Sequence, residues 1–213
     1  MSFRLPRVYA LTDVQLSGLS HANQIELLSA GGATLIQLRD KQAPALQLHE
    51  HAVAAVAAAE KSGTQLIIND RTDVALAARA HGVHLGQDDM PPEAARRLLG
   101  SEGVIGYSTH NVDQARRSLA LPVDYIAIGP IFETSSKTDT FPTLGLEGLA
   151  AVRKAVGKVQ LVAIGGISHT NAHEVIEAGA DCVAVISALL SDPDHITAAT
   201  RALIQSLPPV RTT

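Results

Sequence analysis

Short apolar runs recur along the chain at regular spacing, and each is followed by a longer stretch with helical periodicity. "VYALTD" (8–13) reads as a strand and "HANQIELLSAGG" as a helix ended by glycine. Further strands are predicted at "TLIQLRD" (34–40), "QLIIND" (65–70), "GVHLGQ" (82–87) and "VIGYST" (104–109). The last three are "DYIAIGP" (124–130), "VQLVAIGG" (159–166) and "CVAVIS" (182–187). Between them lie an Ala-rich helix over 44–61, then "RTDVALAARA", "PPEAARRLLG", "NVDQARRSLA", "GLEGLAAVRKAV" and "SHTNAHEVIEAGA". A final helix covers about 195–206. Runs that are apolar at consecutive positions suit a parallel sheet covered on both faces.

About eight strand–helix units in 213 residues favour a closed (β/α)8 TIM barrel over an open doubly wound sheet. "LTDVQLSG", after the first strand, lacks the Gly-rich dinucleotide fingerprint. No composition break or Pro/Ser-rich linker divides the chain. The prediction is a single α/β domain over 1–213, with its core at about 8–206.

Composition narrows the function. The chain is 46% hydrophobic and 18% charged, so it can bury a large core, and its aromatics amount to 3% with no Trp. Such a palette suits aliphatic strands under Ala-rich helices better than a platform for stacking bases. A net charge of −4 argues against nucleic acid or an anionic membrane held by bulk charge. Any anionic ligand must therefore meet a few local cations. The one cysteine, Cys182 in "DCVAVIS", allows no intrachain disulfide and reads as a buried structural thiol. No secretion-type leader or bilayer-length apolar stretch is visible, so the expectation is a soluble, cytoplasmic protein.

The polar residues collect at the C-terminal ends of the predicted strands, where barrels of this class carry their sites. In "LIQLRDK", Gln37, Arg39 and Lys41 alternate, which on a strand puts an amide and two cations on one face. The alternative is an exposed strand end, with Arg39 and Lys41 paired to Asp40 or to a helix carboxylate. Asn69 and Asp70 end the third strand, Asp88 and Asp89 the fourth, and Ser108, Thr109 and His110 the fifth. "GPIFETSSK", with Thr134, Ser136 and Lys137, follows the sixth. Arg39, Lys41 and Lys137 at one mouth would hold phosphate oxygens.

Asp70 and Asp89 end neighbouring strands, and two carboxylates in one cleft must share a proton or a cation. Beside phosphate that cation is Mg2+. A strand-end Asp also caps helices, a role that suits Asp88 better. "AIGGI" and "ISAL" match the backbone phosphate site of such barrels, though Gly165 and Gly166 serve equally as turn glycines. His81, His84 and His110 share no metal-ligand spacing, which argues against zinc there, and His84 reads as a satisfied interior histidine. Ser108 and His110 form no nucleophile elbow. The residues thus predict two anionic subsites, one built from cations with Mg2+ and one from main-chain amides.

"QLRDK", "IND", "GVHLGQDD", "GYSTH", "GPIFETSSK", "AIGGI" and "VAVIS", in that order, resemble the thiamine-phosphate synthase (thiamine-phosphate pyrophosphorylase) family from Tyr9 to about Leu190. The resemblance implies a transferase that joins 4-amino-2-methyl-5-hydroxymethylpyrimidine diphosphate to thiazole phosphate, releasing pyrophosphate. It implies Gln37 at the pyrimidine, with Arg39, Lys41, Asn69 and Lys137 on the diphosphate and Leu38 and Asp40 in the same substrate-binding segment. It implies Asp70 and Asp89 on Mg2+, and Ser108 at the pyrimidine or its leaving group. Thr134, Ser135 and Ser136 would meet the thiazole phosphate, whose phosphate Gly166, Ile186 and Ser187 would bind through main-chain groups. Arg39, Lys41, Ser108 and Lys137 would carry the catalysis. The family often has T-x-T-K where this chain has "TSSK", a change that keeps the hydroxyl.

Three rival readings stand beside this one. A thiazole tautomerase of the same fold would use His110 for proton transfer and needs no diphosphate site. A non-catalytic phosphate-ligand binder would be expected to lack a metal carboxylate or Lys137, and all are present. A different phosphate-handling barrel isomerase is disfavoured by the ordered motifs. The segment 133–145 is the best candidate for a lid, and the sequence leaves open whether the chain forms a homo-oligomer.

Overall fold

A computed structural model describes residues 3–134 and 141–210. Eight short strands form a closed barrel: β1 (Val8–Leu11), β2 (Leu35–Leu38), β3 (Gln65–Asn69), β4 (Gly82–Leu85), β5 (Val104–Thr109), β6 (Tyr125–Ile128), β7 (Leu161–Ile164) and β8 (Cys182–Val185). Each pairs in parallel with the next, and β8 returns to β1 with Val183 opposite Val8. This is the predicted (β/α)8 architecture.

Helices α1 (Val14–Ser17) and α2 (His21–Ala30) follow β1, and α3 (Ala45–Ser62) follows β2. Then come α4 (Thr72–Ala77), α5 (Pro92–Leu99), α6 (Val112–Arg117), α7 (Gly145–Val156) and α8 (Ala172–Glu177), each after its strand. Behind β8 lie α9 (Ser187–Leu190) and α10 (Ile196–Ser206). Local chemistry sets the ends: Ser20 and Asn111 accept the N–H groups of Asn23 and Gln114, capping α2 and α6. Gly63 ends α3 at φ 68°, a left-handed conformation that costs glycine nothing.

The strands are buried almost throughout, with Leu35, Ile36, Leu66, Ile67, Ile68 and Ile105 fully enclosed. Burying each such side chain stabilises by roughly 1.5–3 kcal/mol. At the N-terminal face the same clamp occurs twice. Arg96 donates to the Asp124 carboxylate and to the Gly100 and Gly103 carbonyls; Arg153 does the same to Asp181, Gly157 and Val159. Each carboxylate also takes a strand N–H, from Ile105 or Leu161. These clamps hold the stability face of the barrel and leave the opposite end for chemistry. Among the described residues, no helix is long and apolar enough to cross a membrane.

One strand ends earlier than the alternation predicts. β2 stops at Leu38, because the Arg39 N–H goes to Thr12 Oγ1 at 3.2 Å instead of to a strand partner. Asp40 Oδ1 then accepts the N–H groups of Gln42 and Ala43, an Asx-type turn that competes with the ladder. Gln37, Arg39 and Lys41 are therefore not three successive same-face positions of one strand.

Candidate active site

At the C-terminal end of the barrel a cavity of about 560 Å³ opens, and Gln37, Arg39 and Lys41 nevertheless all line it. Asn69, Asp70, Asp89, Ser108 and Thr134 line it as well. Leu38 is fully buried, and the Asp40 carboxylate is engaged by its own turn and by His21; neither lines the cavity. Ser135, Ser136 and Lys137, with the middle of the lid candidate, lie outside the described residues.

The floor is a hydrogen-bonded chain through the barrel interior. Gln37, 3% exposed, donates its side-chain amide to Tyr9 Oη at 2.8 Å. Tyr125 donates to the same Tyr9 oxygen at 3.0 Å. His84 Nδ1 stands 3.0 Å from the Tyr125 hydroxyl and its Nε2 2.8 Å from Ser108 Oγ. Since the Tyr125 proton goes to Tyr9, His84 Nδ1 must be the donor to Tyr125, and Ser108 then donates to Nε2. Burial first of all pushes both tyrosine hydroxyls well above their usual pKa, so they stay protonated and the chain keeps this direction. The Gln37 amide is thereby fixed in rotation, with its carbonyl oxygen left to accept.

Two glycines allow close approaches around the site, one of them beneath this chain. A Cβ on Gly106, in β5, would collide with the Tyr125 ring and with His84 Nδ1. Gly166 has φ 64°, and a Cβ there would come within 2.5 Å of the Glu133 carbonyl oxygen.

On the wall, Lys41 Nζ lies 3.8 Å from Asp70 Oδ2. Asp70 leaves β3 in a left-handed conformation at φ 63°, unusual outside glycine but tolerated by Asp. Burial, then the charge of Asp89 and a side-chain hydrogen bond with it, push the Asp70 carboxyl up to about 6 against the opposing pull of Lys41 and Asn69. The two carboxyls thus meet, as the strand order predicts. Asp89 Oδ2 accepts the Gly86 N–H at 2.6 Å, which fixes the "GQDD" turn. Asp88 caps no helix, contrary to the sequence reading: α5 begins at Pro92 with Pro91 before it, and Asp88 lines the cavity.

A carboxyl raised to about 6 by burial and then by a second carboxyl carries strain on its ionised form that a divalent cation relieves. The donors are hard oxygens, which suit Mg2+. Asp70 and Asp89 therefore fit the ion expected between them.

Next door, Thr134, Gly166 and Ser187 line a second recess, and a narrow pocket lined by Gly165, Gly166, Ile186 and Ser187 reaches Ile164 and Ala184 on the main cavity. Thr134 borders all three. The loop after β6 is laid against β7 by Ile131 N–H to the Ile164 carbonyl and Phe132 N–H to that of Gly165.

Several lining residues escaped the sequence reading. Gln87 donates to the Ser108 carbonyl at 2.6 Å. Phe141 stacks on His110 with ring centroids 3.7 Å apart and planes 6° off parallel, while His110 Nδ1 contacts the Gly129 carbonyl oxygen at 2.8 Å. Tyr9 and Tyr125 carried one visible signal: in a chain with three tyrosines and no Trp, both sit inside aliphatic strands, where a hydroxyl needs a partner.

A family model described as thiamine monophosphate synthase matches residues 8–189. Thiamine-phosphate synthase of Chloroflexus aurantiacus is 46% identical over 198 residues, covering 92% of this chain and 90% of the relative. That of Koribacter versatilis is 48% identical, covering 89% and 92%. Among solved structures, thiamine phosphate pyrophosphorylase from Pyrococcus furiosus superposes with a TM-score of 0.84 at 34% identity, covering 94% of each chain. With sequence, barrel and relatives in agreement, the chain belongs to the thiamine monophosphate synthase family and is a transferase of thiamine biosynthesis.

Proposed function

We propose that this protein joins the pyrimidine diphosphate to the thiazole phosphate, giving thiamine phosphate and pyrophosphate. The observation that carries the reading is the meeting of Lys41, Asp70 and Asp89 on the wall of one cavity that also holds Arg39 and Gln37. Arg39 and Lys41 stabilise the charge that gathers on the departing pyrophosphate, and Asn69 adds an amide donor. Gln37 presents its fixed carbonyl to the aminopyrimidine. Ser108, oriented by His84, offers its oxygen lone pairs beside the reacting carbon.

The bond to pyrophosphate breaks first, the electron-rich pyrimidine stabilises the benzyl-like cation, and the thiazole nitrogen then attacks. No side chain is needed as a nucleophile. The chain's work is to hold leaving charge, orient two rings and exclude water. Bound between Asp70 and Asp89, Mg2+ would supply positive charge to the diphosphate oxygens. Thr134 and Ser135 and Ser136 after it are assigned to the thiazole partner, Lys137 to the diphosphate, and the main chain of Gly166, Ile186 and Ser187 to the thiazole's phosphate. On this reading the protein works in the cytoplasm on small molecules, as one domain.

The test is synthesis of thiamine phosphate by purified protein from both substrates and Mg2+. Product that requires all three supports the reading. No product, with proton exchange on the thiazole phosphate instead, would favour tautomerisation centred on His110.

A further inference from the structure

Behind the cation-bearing wall lies a second group of ligating side chains. His21 opens α2 and is 2% exposed; its Nε2 stands 3.4 Å from Asp40 Oδ2. His51, in the second turn of α3, brings its Nδ1 to 3.5 Å from the same oxygen. That Nδ1 is buried and has no hydrogen-bond partner among the described residues. All three donor atoms lie within 4.8 Å of one another.

Both N···O separations are long for charge-assisted hydrogen bonds, which run at about 2.7–2.9 Å. They agree with the edge of a coordination tetrahedron. Bonds of about 2.0–2.1 Å to nitrogen or oxygen put neighbouring ligand atoms roughly 3.3–3.4 Å apart. The supporting contacts that orient metal ligands are also in place. His21 Nδ1 is held by Thr12 Oγ1 at 2.7 Å, which leaves Nε2 for a ligand. Asp40 Oδ1 is taken by the Gln42 and Ala43 N–H groups, which leaves Oδ2. Three separate elements each supply one ligand, so an ion there would tie α2 and α3 to the turn after β2.

We propose that His21, Asp40 and His51 form a second metal site, for a divalent transition ion of the zinc type. Two imidazoles and one carboxylate select such an ion over Mg2+, which prefers an all-oxygen shell. The fourth position is left to water or another ligand. Asp40 stands between Arg39 and Lys41, both of which line the main cavity. Occupancy would therefore set the position of two cations without touching substrate.

Tag-free protein, stripped with chelator, is titrated with Co2+ alone and followed by the visible bands that tetrahedral Co2+ shows and octahedral Co2+ shows only weakly. The expected result is one equivalent of tetrahedral Co2+, displaced by Zn2+. His51→Ala and Asp40→Asn each weaken it about tenfold or more, while Asp89→Asn leaves it unchanged. His51 is partly exposed and Asp40→Asn keeps the shape of the turn, so circular dichroism is expected to show both variants folded. Absence of tetrahedral bands, or bands that survive both variants, would overturn the site and leave a hydrogen-bonded His–Asp–His cluster. Because the readout is metal binding, its failure leaves the proposed synthesis untouched.

Discussion

Gln37 on β2 and Ser108 on β5 are the two ends of one buried hydrogen-bond chain that runs through Tyr9, Tyr125 and His84. On the proposed function, the group that faces the pyrimidine ring and the one beside the reacting carbon are thus held by the same interior network. Removing a link loosens both ends.

Tyr9→Phe keeps the ring and deletes the oxygen that accepts from Gln37 and Tyr125. Two buried donors lose their partner, so stability falls by about 1–3 kcal/mol. In kinetics, KM for the pyrimidine diphosphate rises more than KM for the thiazole phosphate. Denaturant unfolding with steady-state kinetics in each substrate checks both, and equal effects on the two KM values would contradict the account.

Asp70 gives a pH prediction. Its folded carboxyl lies at about 6, above the ordinary 3.8. A raised folded pKa means that the unfolded state loses its proton first as pH rises. The contribution to stability is therefore whole below about pH 4 and is lost as pH rises through about 6. The full shift corresponds to about 3 kcal/mol, which sharing of the proton with Asp89 and partial exposure reduce to about 1–2 kcal/mol. Asp70→Asn should then stabilise the ligand-free protein by that amount at pH 7.5 and hardly at all at pH 4. Urea unfolding of both proteins at the two pH values measures the difference.

On the proposed function, Arg39→Ala and Lys41→Ala remove cations whose work is on the ligand. Each is expected to weaken inhibition by product pyrophosphate about tenfold, or about 1.4 kcal/mol. Lys41 pairs with Asp70 at only 3.8 Å and is half exposed, so its loss should move stability by no more than about 0.5 kcal/mol. A large loss of stability with unchanged pyrophosphate inhibition would make these residues structural.

Gly166→Ala places a Cβ at φ 64° and against the Glu133 carbonyl. The left-handed conformation alone costs about 1–2 kcal/mol. Because the strain falls between β7 and the loop after β6, KM for the thiazole phosphate should rise while that for the pyrimidine diphosphate stays near the parent value. The two values come from one pair of substrate titrations.

The barrel was legible because eight aliphatic runs alternate with amphipathic stretches, a pattern few other folds satisfy. The approach of Asp70 to Asp89 followed from strand order, since consecutive strands in a barrel are neighbours. Where β2 ends was not legible: Thr12, nearly thirty residues away in sequence, takes the N–H that alternation assigns to a ladder. Nor did periodicity foretell that Asp89 would fix its turn through Gly86, or that Asp88 would line the cavity beside it instead of capping α5, because both depend on the local path of the turn after β4. The interior chain was hidden for a similar reason. Tyr9 and Tyr125 occupy apolar strand positions, and only the closed barrel brings their hydroxyls together.

The most direct test of the central claim is a crystal structure of the protein with pyrophosphate and Mg2+. The account predicts pyrophosphate against Arg39 and Lys41, with the ion held by both Asp70 and Asp89. Pyrophosphate bound beside Gly166 and Ser187 alone, with no ion at the two aspartates, would contradict it.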